Sequence, residues 1–117
     1  MNIVPHSVPQ DSNEIKTTLQ YNRKYVLFAI YEVLDKFGSK YEKTDSSTFL
    51  SEISVYGNKS RFSISVDEQP FGTKLTVTMV CPCEGLSASG VQRSITTVAD
   101  SISQHLENEL VIKKSKA

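Results

Sequence analysis

Apolar and polar residues alternate one for one along four stretches of the chain and recur at helical spacing along two others. In Glu14–Tyr21, residues Ile15, Thr17, Leu19 and Tyr21 fall on one side and Lys16, Thr18 and Gln20 on the other, which predicts a strand. From Arg23 to Phe37 the period changes. Val26, Ile30, Val33 and Phe37 form a stripe with Leu27 and Leu34 beside it, the signature of an amphipathic helix. Asn22 is a suitable N-cap, Glu32 and Lys36 are spaced to pair on one face, and Gly38 stands where a left-handed residue ends a helix.

Tyr41–Asp45 reads as a short strand and Phe49–Tyr56 as a stronger one, with Ile53 and Val55 on one face. Gly57-Asn58 suits a two-residue type II′ turn, which takes Gly first. Arg61–Asp67 returns with Phe62, Ile64 and Val66 alternating against Arg61, Ser63, Ser65 and Asp67. After a turn marked by Pro70 and Gly72, Lys74–Cys81 places Leu75, Val77, Met79 and Cys81 against Lys74, Thr76, Thr78 and Val80. Pro82 cannot donate to a ladder and closes that strand. A Gly/Ser loop follows, with Ser87 or Ser89 as cap, and Val91, Ile95, Val98, Ile102 and Leu106 predict a second helix over Val91–Leu110.

These elements form an α+β domain in the order β-α-β(3-4)-α: an antiparallel meander sheet with two helices on one face. The helices need an apolar partner, and Ile53, Val55, Phe62, Ile64, Val66, Leu75, Val77 and Met79 supply it from one side of the sheet. The other side carries Glu52, Ser54, Arg61, Ser63, Ser65, Lys74, Thr76 and Thr78. It reads either as a solvated surface or as a contact face, most simply for a second copy about a twofold axis. The element order resembles the TATA-binding-protein-like fold and the related helix-grip folds. That resemblance is topological and rests on no shared motif. It implies a sheet that holds DNA, or a sheet and long helix that enclose an apolar ligand, and neither activity transfers with a fold.

Length limits the chain to one folded unit: 117 residues suffice for a single core. The expected layout is a flexible N-terminal arm over 1–13, one domain over 14–112 and a flexible C-terminal tail over 113–117. Thirteen Lys and Arg balance thirteen Asp and Glu. That balance argues against a general nucleic-acid binder, even with Lys59, Arg61 and Lys74 on or beside the sheet, because phosphate neutralisation supplies most of such affinity. No apolar run approaches the roughly 20 residues that span a bilayer. Met1–Asn13 has neither a basic nor an apolar leader region, so the expected address is cytoplasmic, without membrane association.

Candidate chemistry is sparse. Cys81-Pro82-Cys83 offers two thiols, but a zinc site needs further ligands, and the histidines are His6 in the arm and His105 on the last helix. No metal or cofactor is implied, and the cysteines read as strand-end residues. A Cys/His hydrolase would need His105, expected to be exposed, beside a thiolate. Ser87, Ser89, Gly90 and Arg93 collect at a helix N-terminus, where free N–H groups and a guanidinium would hold an anion; capping explains the same residues. Tyr21, Tyr25, Phe28, Tyr31 and Phe37 read mainly as core, with Tyr25 and Tyr31 at its rim.

The leading expectation is a non-enzymatic cytoplasmic binding module that self-associates as a homodimer through Ser54, Arg61, Ser63, Ser65, Thr76 and Thr78. The alternative is a carrier of a small apolar or anionic ligand held between the sheet and the C-terminal helix.

Overall fold

A computed structural model describes residues 13–116, with side chains through residue 108. Residues 1–12, including His6, and the side chains of the expected tail lie outside the described residues. The element order is β1 (Glu14–Leu19), α1 (Arg23–Lys36), β2 (Lys40–Asp45), β3 (Thr48–Val55), β4 (Asn58–Gln69), β5 (Gly72–Cys81) and α2 (Ala88–Lys116). The sheet is antiparallel throughout, in the order β1-β5-β4-β3-β2. The hydropathy pattern predicts this antiparallel sheet with two helices; three or four strands are expected between the helices and four are found, and the topology fits the helix-grip-like of the two fold types that the element order resembles.

Local chemistry sets the helix ends. The Asn22 side chain accepts from the Tyr25 N–H at 3.2 Å, and Gly38, at φ +67°, provides the left-handed exit. Helix α1 carries the chain from β1 to the far edge of the sheet, and the β2–β5 meander returns to pair with β1. Helix α2 lies over β5 and β1, α1 over β4 and β5, and the two helices touch.

All eight inward strand residues of the sequence pattern are buried, as are Val26, Ile30, Val33 and Leu34 of α1 and Ile95, Val98, Ile102 and Leu106 of α2. Phe28 is a correction: it is 59% exposed. It lies about 200° around the helix from both Val26 and Ile30, on the side away from the sheet.

Hydroxyls on the inward face act as pins. Ser51 Oγ donates to the Lys40 carbonyl at 2.9 Å and Thr73 Oγ1 to the Tyr21 carbonyl at 2.8 Å. Ser60 Oγ accepts from the Cys83 N–H at 2.8 Å. Each satisfies a buried polar group while tying an edge strand or loop to the sheet.

Two details of register differ from the sequence reading. The β3–β4 loop is Tyr56-Gly57, not Gly57-Asn58, because Val55 pairs with Asn58. Both loop residues have positive φ, +53° and +82°, so the turn is type I′ rather than II′. The two registers differ by two residues and leave every side chain on the same face, so alternation alone cannot separate them. In the second case, Phe62 pairs with Met79 but Arg61 pairs with Cys81, leaving Val80 as an extra bulged residue. The bulge moves Cys81 off the inward row, and it is exposed. A similar irregularity at Thr44 interrupts the pairing of β2 with β3.

Candidate functional site

The outer face of the sheet is a grid whose rows follow from the strand register. One row runs Lys16–Thr76–Ser65–Thr48–Asp45 and the next Glu14–Thr78–Ser63–Leu50–Glu42. Thr18–Lys74–Asp67 flanks the first, and Cys81–Arg61–Glu52–Lys40 lies beyond the second. Ser63, Ser65, Thr76 and Thr78 are therefore neighbours at the centre, each half-buried, while Arg61 and Ser54 are exposed toward the β3–β4 end. Lys16, Lys40, Lys59, Arg61 and Lys74 frame this hydroxyl centre together with Glu14, Glu42, Asp45, Glu52 and Asp67, so the frame carries no net charge. Its local contacts include Thr78 Oγ1 donating to Glu14 Oε2 at 3.3 Å and a Lys16–Glu14 ion pair at 4.0 Å. A shallow groove of about 260 Å³ opens on the β2 side, between Lys40, Glu42, Leu50, Glu52 and Arg61.

The Gly/Ser loop places its residues differently from a built pocket. Ser87 Oγ accepts from the Gly90 N–H at 3.1 Å and lies 3.2 Å from Ser89 Oγ. Ser87 is thus the N-cap of α2, with its carbonyl accepting from Val91 N–H at 2.9 Å. Gly90 sits under the Leu86 side chain, and Arg93 is exposed one turn further on. Ser87→Ala should lower stability by about 1 kcal/mol in urea denaturation, the worth of a cap. If added phosphate stabilises the native protein markedly more than this variant, the hydroxyl serves an anion as well.

Cys81 is exposed on the outer face of the sheet, and Cys83 is partly covered behind Ser60. Among the described residues no three of His, Cys, Asp and Glu cluster in a way that could hold a metal ion. His105 was expected to be exposed. Instead its side chain is 11% exposed and meets Glu32 of α1 at 2.5 Å, on the helix side of the sheet. Helix α1 covers that flank of α2, a contact between helices that periodicity within one helix does not reveal. Val33, Lys36, Phe37, Ser101 and Gln104 join His105 along a groove of about 290 Å³ between the two helices.

The sequence reading missed one further cluster. Tyr31, Tyr41 and Phe49 form an aromatic corner: Tyr31 and Phe49 meet edge to face at 5.1 Å between centroids, with Tyr41 at 5.7 Å from Tyr31 and 6.1 Å from Phe49. The Lys43 ammonium lies 5.7 Å from the Phe49 ring centre and 5.9 Å from that of Tyr31. Lys43 and Phe49 face each other across β2 and β3, so this corner fastens the edge strand to the core. The β2–β3 register and the packing of α1 on the sheet bring its members together; nothing in their spacing along the chain signals it.

Among the described residues no helix is long and apolar enough to cross a membrane. No protein-family model matches the sequence, and no curated protein matches it. Among solved structures, the chain is similar to an uncharacterized protein from Rhizobium leguminosarum, with a TM-score of 0.50 and 14% identity, over 81% of this chain and 93% of that one. It is also similar to Ara h 8.0201, with a TM-score of 0.45 and 10% identity, over 84% of this chain and 95% of that one. At 14% identity the first likeness is one of fold alone.

Proposed function

We propose that this chain is a non-catalytic binding module that self-associates through the outer face of its sheet. The observation that carries this reading is the face itself: small hydroxyl residues at its centre, Ser63, Ser65, Thr76 and Thr78, inside a frame of equally balanced charges. Small side chains let two backbones approach closely, and a frame of both signs suits a partner with the same pattern. Support for the non-catalytic part comes from placement. Cys81 and His105, the residues a thiol-based reaction would join, lie on opposite sides of the sheet. The free thiols Cys81 and Cys83 fit a reducing cytoplasmic setting.

The carrier reading has less support. Phe62, Ile64, Met79, Ile95 and Ile102 fill the space between the sheet and the helices at 0–1% exposure.

Sedimentation velocity from micromolar to millimolar protein tests the proposal. A concentration-dependent dimer is expected, and Thr76→Lys, which adds charge at the centre of the face without touching the core, should weaken it roughly tenfold. A protein that stays monomeric at millimolar concentration rejects self-association. A small molecule retained through purification and seen in native mass spectra would favour the carrier.

A further inference from the structure

Resting on the reading of the outer face as a self-association surface, the geometry points to one particular arrangement of the two copies. The twofold axis lies in the plane of the interface and runs across the strands, along the row Ile15–Val77–Ile64–Phe49–Lys43. Those residues are successive cross-strand partners, and in β1, β5, β4 and β3 they alternate with the outward-facing positions. Rotation about this row lays each strand over its own copy, reversed. Every outward residue then meets the one equally far beyond the row.

The pairings are complementary on β4, β5 and β1, while at the β2 edge Glu42 meets Asp45 of the second copy, a like-charge contact that limits affinity. On β4, Ser63 meets Ser65 of the second copy, and Arg61 meets Asp67 of the second copy. On β5, Thr76 meets Thr78 of the second copy. On β1, Glu14 meets Lys16 of the second copy. Twofold symmetry makes each contact twice. The other in-plane axis, along β4, is less favourable on charge: it sets Arg61 and Asp67 each on its own copy and Glu14 against Glu42, with only Lys16 against Asp45 in compensation.

Arg61 and Asp67 make no ion pair among the described residues, and both are exposed. Each lies three residues from Ile64, roughly 10 Å from the axis. Twisted sheets packed face to face cross at about 30°, which offsets such a pair sideways by only about 5 Å, within the reach of an arginine. Five strands make a face roughly 24 Å wide. With about 20 Å of strand length, it falls below the roughly 800 Å² per partner of a standard interface. The dimer is therefore weak and salt-sensitive.

Charge reversal tests the arrangement by sedimentation velocity at low salt, with circular dichroism confirming the fold of each variant. Arg61→Asp alone sets Asp against Asp67 of the second copy twice, and Asp67→Arg alone sets Arg against Arg61 twice. Each single variant should dimerise roughly tenfold or more weakly than the native protein. The double variant should recover native affinity. So should an equimolar mixture of the two singles, because their heterodimer has both contacts matched. A native dimer that survives Arg61→Asp unchanged, or a mixture that fails to recover, overturns this axis while leaving self-association in place. A native protein that is monomeric at millimolar concentration removes both.

Discussion

Val77→Asp is expected to abolish cooperative folding at neutral pH. Val77 is fully buried in the interior strand β5, between Ile15 of β1 and Ile64 of β4. Removing its isopropyl group forfeits about 1.5–3 kcal/mol of burial. The new carboxyl must then be desolvated without a partner or take up a proton, which brings the total beyond about 4 kcal/mol. Domains of this size hold only about 5–15 kcal/mol in all. Loss of the urea transition and collapse of amide chemical-shift dispersion are the expected readouts. Thr76→Lys is the control: one residue away on the same strand but facing outward, it should unfold at nearly the native urea concentration. A Val77→Asp variant as stable as Thr76→Lys would overturn the assignment of Val77 to the buried face.

Gly72→Ala should carry the second largest cost, about 2–4 kcal/mol. Gly72 opens β5 at φ +148°, and a Cβ built there would come within 2.2 Å of the Leu19 carbonyl oxygen. That neighbour is backbone. To make room, the end of β1 must leave Thr73, its ladder partner, and strain the adjacent Thr73–Tyr21 hydrogen bond. Gly57→Ala separates this clash from backbone strain alone, since Gly57 also has positive φ but nothing within 4 Å of its missing Cβ. Gly57→Ala should cost only about 1 kcal/mol. Thermal melts showing the two alanine variants equally stable would remove the close approach as the reason for glycine at Gly72.

Much of the fold is legible because burial imposes a period. Each β-strand with one wet face records its orientation in every second residue, and Ile53, Phe62, Ile64, Val66, Leu75 and Val77 carry that record without ambiguity. The outer face is read from the same alternation, which is why the grouping of Ser63, Ser65, Thr76 and Thr78 is legible in the sequence alone. Features that depend on which residue stands opposite which are another matter. A shift of two in the β3–β4 hairpin preserves both faces, so the Tyr56-Gly57 turn escapes the pattern. The Val80 bulge breaks the alternation that would have kept Cys81 inside. His105 gains its cover from α1, and Lys43 meets its rings through the β2–β3 register and the packing of α1 on the sheet. The framing charges are visible in the sequence, but their arrangement into rows exists only once the register is known.

The interruption at Thr44 also bears on how far association can proceed. Strand β2 is an edge, and Lys40, Glu42, Lys43 and Asp45 charge it on both sides while the bulge disrupts its outer hydrogen-bonding line. A neighbouring sheet therefore finds a poor template for adding strands side by side, the route by which sheets grow into fibrils. In the proposed arrangement, contact between faces about a twofold axis would consume the one surface it uses, and the assembly would close at two copies.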